Sequence, residues 1–373
     1  MESNNKSKPN GSYIFKRTGK SVRNRVVLAA MTNKQSYDNG ILSNDEIKWL
    51  SRRAKGGFGI ITTAAANISK NGQAWEGELG VFDDIHIDNL KLLTDVVHSY
   101  ESLIIAQLFH GGMHSPQSLT GKIPISASKI KCKESYSGFT HPASEKDINN
   151  IIENFTSAAT RCVQSGFDGI ELHGAHGYLI SQFLGKKTNT RTDKWGGDII
   201  GRSRLLIQII KSIKKNVPDS FLVGVRISPE IMDMGIHLDD SISLVGLLSD
   251  EGVDFIHLSC WNVFLNSQCY PKNPKTLTEL IIESYNNLPA IISTGSVWSS
   301  GDAQKLIRIG ADFVGVARVG IAYPDWPKKI SNIGYNPPRP PYSINYLKKV
   351  DLSENFINYM RKWDGFVSET EVM

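Results

Sequence analysis

The sequence predicts an α/β protein of the closed (β/α)8 TIM-barrel class, a single domain with long loops over its C-terminal face. Two patterns predict it. Short, nearly continuous apolar runs alternate with segments of helical period along almost the whole chain, and there are eight such runs. The runner-up, a doubly wound open sheet, lacks its phosphate-binding turn: no strand is followed by GxGxxG, and no GxxxxGK[ST] loop occurs.

The expected strands cover 25–31, 59–65, 103–109, 169–172, 222–227, 255–258, 290–293 and 313–317. Each is β-branched and apolar with little alternation, as strands buried on both faces require. The expected helices cover 44–55, 87–100, 147–165, 202–216, 240–251, 276–287 and 301–309, with apolar residues three and four apart. Ser43 or Asn44 can cap the first. Gly166, Gly252 and Gly310 stand just past three helices, where a left-handed terminus suits glycine. Residues 111–143 and 261–275 are long irregular insertions, expected over the active face. The division is a flexible tail at 1–12, the barrel at 13–336 and a C-terminal arm at 337–373. That arm begins with the stiff PPRPPY and turns helical over 354–363.

Composition excludes several classes. The 373 residues are 40% hydrophobic and 21% charged, as in an ordinary globular protein, and the net charge is +5. The lysines are scattered over helices, without the concentrated stripe of a nucleic-acid surface. MESNNKSKPN lacks the apolar core of a signal peptide, and no apolar run approaches the ~20 residues of a membrane span. Cys132, Cys162, Cys260 and Cys269 show no CxxC spacing, so no zinc or iron–sulfur cluster is expected. A cytoplasmic protein with reduced thiols follows.

The chemistry concentrates in GFDGIELHGAHGYLISQFL, 166–184, where His173, His176 and Tyr178 follow a short strand. Two imidazoles can donate to one carbonyl oxygen, and a phenol can deliver a proton. That equipment suits reduction of a C=C bond conjugated to a carbonyl, given a hydride source. A His-x-x-His metal pair is the rival, but no acidic third ligand stands in a familiar motif, so no metal is expected.

In chain order, NRVVLAAMTN (24–33), GFGIITTAAANIS (57–69), AQLFHGGMHS (106–115), HGAHGYLISQFL with NTRTDKWGG (189–197), VGVRISP (223–229) and STGSVWSSGDAQKLIRIGADFVGVAR (293–318) resemble the Old Yellow Enzyme family of FMN-dependent ene-reductases. The resemblance runs from about Asn24 to Ile330. It implies FMN, with NADH or NADPH as reductant and a small unsaturated carbonyl compound as substrate. It implies Gln107 at the flavin's pyrimidine edge and Arg226 beside the ring nitrogen that becomes anionic on reduction. It places Ala30, Met31, Thr32 and Ala65 along the flavin, and Gly295, Ser296, Ala317 and Arg318 at its phosphate. It makes His173 and His176 the carbonyl donors and Tyr178 the acid. Helix 301–309 is expected to assist the phosphate end. Relatives usually have glycine where Ala317 stands, and many have asparagine where His176 stands. His110, Met113, His114, Phe139, Trp261 and Phe264 are candidates for the mouth. A homo-oligomer is compatible with the arm, which in some relatives reaches a neighbouring subunit. A flavin-free ligand-binding barrel or a metal-dependent barrel lyase are the alternatives. A scaffold, however, has no need of Gln107, Arg226 and Arg318 together.

Overall fold

The structure is a computed structural model and describes residues 8–370. Eight parallel strands form the barrel: β1 (Val26–Leu28), β2 (Ile60–Asn67), β3 (Leu103–Phe109), β4 (Gly169–Gly174), β5 (Leu222–Ile227), β6 (Phe255–Ser259), β7 (Ala290–Thr294) and β8 (Phe313–Val316). Each pairs with its neighbours in sequence order, and β1 pairs with both β8 and β2, which closes the ring. The helices between them are α1 (Asn44–Lys55), α2 (Ile87–His98), α3 (Glu145–Gln164), α4 (Ile199–Asn216), α5 (Leu238–Asp250), α6 (Leu277–Glu283) and α7 (Ser300–Arg308). Ser43 caps α1, its hydroxyl accepting from Glu46 N. Gly166, Gly252 and Gly310 have φ of 83°, 65° and 107°.

Two strand boundaries differ from expectation in ways that shape the site. β1 is shorter than 25–31. After Leu28 only Ala29 still bonds to the sheet, through Val316 O, and Ala30 to Thr32 turn over the barrel mouth. β4 is longer than 169–172. It runs to Gly174, which pairs with Ile227, so His173 is held in the sheet rather than in a loop. α6 stops at Glu283, short of 287, ahead of Asn286, Asn287 and Pro289.

The N-terminal end of the barrel is closed by a hairpin that the sequence reading missed, Tyr13–Ile14 against Ser21–Val22. Phe15 stacks on Phe313 with ring centres 5.6 Å apart, and Tyr13 lies 4.8 Å from the same ring. Strands of two residues are too short for any periodicity to show. Of the tail expected at 1–12, residues 1–7 lie outside the described residues. Residues 8–12 are not free: Pro9 and Gly11 are buried, and Pro9 O accepts from Arg25 N.

The arm packs on its own barrel and carries two helices rather than one, Ile344–Lys349 and α8 (Glu354–Met360). The wholly buried Arg53 guanidinium ties it down, donating to Val350 O at 2.8 Å as well as to Gly320 O and Ile321 O. Phe356 meets Trp49 edge-on at 5.2 Å. Among the described residues, no helix is long and apolar enough to cross a membrane, and no His, Cys, Asp or Glu cluster is placed to hold a metal.

Candidate active site

A cavity of about 370 Å³ opens at the C-terminal end of the barrel, and all thirteen residues singled out from the sequence line it. They come from most of the strand ends, which is how a barrel collects chemistry from distant parts of a chain.

The floor is set by strand register. Gln107 on β3 lies beside Ala65 on β2 and Glu171 on β4; Arg226 on β5 lies beside His173 on β4 and His257 on β6. The Arg226 guanidinium is buried. It donates to Ala30 O at 3.1 Å and to Ser259 Oγ at 3.0 Å, and its Nε is buried without a partner. The turn carrying Ala30, Met31 and Thr32 is clamped from behind by Glu46, whose carboxylate accepts from Asn33 Nδ2 and Ser36 Oγ, both at 2.7 Å.

His173, His176 and Tyr178 converge on one wall. The two imidazole rings are 5.0 Å apart and nearly perpendicular, and Tyr178 is 5.0 Å from His173. His173 Nδ1 accepts from Ala175 N at 3.3 Å, which puts the ring proton on Nε2. His176 Nε2 lies 2.7 Å from Ser259 Oγ. That oxygen also accepts from Arg226, so Ser259 joins the buried guanidinium to the second imidazole. His176 takes a left-handed φ of 61°, a local strain typical of functional turns. Burial and the charge of Arg226 hold both imidazoles below their ordinary pKa, His176 at about 3. Both are neutral donors at physiological pH. Tyr178 is packed among Phe109, His114, Trp75 and His173. Burial, then the nearby Glu78 and Tyr359, push its phenol up, so it stays protonated.

The opposite end is built for an anion. Gly295 has φ of 154°, and a β-carbon there would strike Cys260 O. Ser296 has φ of 55°; its hydroxyl donates to Trp261 O and accepts from Arg318 Nη2 at 3.2 Å. Ala317 has φ of −119°, outside the left-handed range that favours glycine. At the start of helix α7 the amides of Ser299 and Asp302 are engaged in its capping box, Trp298 N donates to the same Asp302 carboxylate, and Ser300 N donates to Tyr335 O. The short helix Arg318–Ala322 begins at the cavity, with Arg318 as its first residue.

The sequence reading missed Trp75, Ser259, Tyr359, Met360 and Trp363, which also line the cavity. Ser259 was one residue past an expected strand and could have been found. The three arm residues carried no signal, because nothing local says that α8 folds back over the mouth. Of the mouth candidates only Trp261 lines the cavity. His110 is buried below it, His114 packs on Tyr178, and Phe264 lies under Lys305. Met113 is tied by its amide to Gln182, and Phe139 sits under Lys129.

The donor set fits FMN. A buried guanidinium with an unsatisfied Nε, an amide side chain, the apolar Ala30, Met31 and Ala65, and an arginine beside Gly295 and Ser296 line one cavity. A barrel with these parts defines a flavin-dependent oxidoreductase. The chain belongs to the NADH:flavin oxidoreductase / NADH oxidase family, whose model matches residues 15–335, the Old Yellow Enzyme family. It is 31% identical over 323 residues to YqiG of Bacillus subtilis strain 168, described as a probable NADH-dependent flavin oxidoreductase, covering 85% of this chain and 86% of that one. It is 34% identical to an NADPH dehydrogenase of Halalkalibacterium halodurans, over 85% of this chain and 92% of that one. Other relatives are longer: the chain spans 35% of the NADH:fumarate oxidoreductase of Klebsiella pneumoniae, at 31% identity over 84% of this chain. Among solved structures, the old yellow enzyme homologue from Zymomonas mobilis superposes with a TM-score of 0.79 over 91% of this chain and 96% of that one, at 23% identity, which attests the fold. The protein is an NAD(P)H-dependent flavin oxidoreductase with FMN as its cofactor.

Proposed function

We propose that the protein is an ene-reductase, reducing the C=C bond of small α,β-unsaturated carbonyl compounds at the expense of NADH or NADPH. The observation that supports this reading best is the convergence of two neutral imidazole donors and one protonated phenol on one wall of the cavity. His173, through Nε2, and His176 are the donors for the substrate's carbonyl oxygen. Negative charge gathers on that oxygen as hydride reaches the β-carbon, and donors already in place stabilise it without reorganising. Tyr178 then protonates the α-carbon. Bound FMN supplies the hydride. Gln107 and Arg226, with Ala30, Met31, Thr32 and Ala65, would hold its ring, and Gly295, Ser296, Ala317 and Arg318 would hold its phosphate. The names of relatives agree, since fumarate, acrylate and 12-oxophytodienoate all carry a C=C bond conjugated to a carboxyl or carbonyl group.

The test is the second half-reaction alone. Holoenzyme reduced anaerobically is mixed with 2-cyclohexenone in a stopped-flow instrument. The flavin should reoxidise, with cyclohexanone as product. Tyr178→Phe should slow this step and leave flavin reduction by NAD(P)H near normal. Reduced enzyme that is inert to enones and to acrylate, yet reoxidised by dioxygen or a quinone, would sink the ene-reductase reading and leave the flavin oxidoreductase standing.

A further inference from the structure

Behind Gln107 and Thr294, which line the cavity, lie two buried polar side chains that no step so far uses, Glu171 and His257. Glu171 on β4 is 1% exposed and His257 on β6 is not exposed at all. Gln107 Nε2 donates to Glu171 Oε1 at 2.6 Å, His257 Nδ1 is 2.6 Å from Glu171 Oε2, and His257 Nε2 is 2.6 Å from Thr294 Oγ1. These bonds therefore form a layer across β3, β4, β6 and β7. On β8 it meets Gly315, where a β-carbon would collide with Thr294 Oγ1 and press on His257 Nε2. So the barrel reserves space for this chain of bonds.

A carboxylate in such a place costs a great deal unless it is fully engaged. Burial alone would raise the pKa of Glu171. The neighbouring His257, the charge of Arg226 and the Gln107 amide together bring it below its ordinary value, so Glu171 is ionised. An ionised carboxylate only accepts. His257 must then donate from Nδ1, and its Nε2 is bonded to the Thr294 hydroxyl. Gln107 must present its NH2 end to Glu171, and its Oε1 is left as the atom available to the cavity. The ambiguity of the amide is removed by the carboxylate behind it.

The layer also sets a charge balance. Arg226 is the buried cation facing the cavity, and Glu171 is the buried anion that faces it in part. A ligand that gains negative charge on reduction is favoured by the first and opposed by the second.

We propose that Glu171 is a positioning residue for the flavin, which orients the Gln107 amide and tempers the pull of Arg226 on the reduced ring. This goes beyond the ene-reductase reading and does not depend on it, because only bound FMN is needed.

The two halves separate by substitution. Glu171→Gln keeps the shape and removes the charge. On FMN-reconstituted protein, an anaerobic redox titration against a reference dye should show a higher midpoint potential. A tenfold shift in the two-electron equilibrium corresponds to about 30 mV. FMN affinity, read by fluorescence quenching, should fall about tenfold, the scale of one hydrogen bond no longer held in register. Glu171→Asp keeps the charge but withdraws it by one methylene from Gln107. It should bind FMN more weakly with the potential unchanged. A purely structural Glu171 would lower the melting temperature in both variants and move neither potential. FMN-loaded Glu171→Gln with the wild-type potential overturns the proposal. Should that variant not fold, Glu171→Asp decides: wild-type FMN affinity, or a potential that moves, overturns it.

Discussion

The two ends of this barrel are made by the same strands and are chemically opposite. Along β5, Leu222, Gly224 and Arg226 share one side; along β6, Phe255, His257 and Ser259 do; along β8, Phe313 and Gly315 do. The first residue of each set joins a dry cluster with Phe15, Val22, Ile60 and Ile105, sealed by the N-terminal hairpin. The last residues form the polar floor and wall of the cavity. Stability is therefore invested at one end and function at the other, two or four residues apart on each strand. Glycine at 224 makes the join: a β-carbon there would run into the Phe255 ring, which fills the centre from below.

The comparison breaks hardest at the dry end. Phe313→Ala deletes a fully buried ring stacked on Phe15. It should cost about 3–5 kcal/mol of stability. The kcat of the fraction still folded should stay near wild type, as should the spectrum of bound FMN. Chemical denaturation with parallel turnover checks this, and a large loss of kcat in folded protein would show that the ends are coupled.

At the wet end the pattern inverts. His173→Ala removes one donor to the developing oxyanion and should slow the enone half-reaction about a hundred- to a thousandfold, roughly 2.7–4 kcal/mol. Stability should change little and FMN should remain bound. Replacing His176 as well should leave phenol binding, seen as a flavin charge-transfer band, undetectable. Normal enone turnover in the double variant removes both residues from the mechanism.

Within the wet end, the two arginines should fail differently. Loss of a charge-assisted bond is worth about 1.5–3 kcal/mol at either. Arg318 sits by Ser296, away from the histidine wall, so Arg318→Ala should weaken FMN binding and be largely rescued by excess FMN. Arg226 touches Ala30 O and Ser259 on the floor, so Arg226→Ala should stay slow when saturated. Full rescue of Arg226→Ala and none of Arg318→Ala would mean that the cofactor lies the other way round.

What was legible in the sequence follows from the same division. The alternation of strands and helices, and the residues at strand ends, are carried by local patterns in which each residue's neighbours are its evidence. The closed ring and the thirteen lining residues singled out above came from those patterns and from the family resemblance they carry. What escaped depends on contacts distant in sequence. Glu46 clamps the turn after β1 from helix α1, the hairpin at 13–22 is defined by the Phe313 it meets, and Tyr359 reaches the cavity only because Arg53 pins the arm. Glu171 and His257 were read as part of apolar strand runs, although a buried carboxylate and imidazole two strands apart are the strongest anomaly in those runs. The self-capping of α7 was visible locally. Ser299 three residues before Asp302 is a capping box, and a helix that caps itself has fewer free amides for a phosphate.

The smallest expected effect is one of pH, read at the buried histidines. His176 is held at about 3, His173 well below its ordinary value and His110 at about 4, chiefly by burial. Tyr178 is pushed upward. Neither donor nor acid changes state between pH 5 and 8, so the enone half-reaction should be flat across that window. Ordinary imidazoles, with pKa near ~6.5, would give a sigmoid there instead. Stability should not be flat. The unfolded chain takes up protons at these histidines as pH falls through ~6.5, while the native state refuses them until far lower. The stability they contribute is thus complete above that value and is lost progressively as pH falls toward 4. Melting temperature should decline over that range with the rate constant unchanged through pH 5, and His110→Phe should make the decline shallower. A rate that fell in step with an apparent pKa near 6.5 would show that at least one of the two donors works as a cation, and that the polar end is wetter than its packing implies.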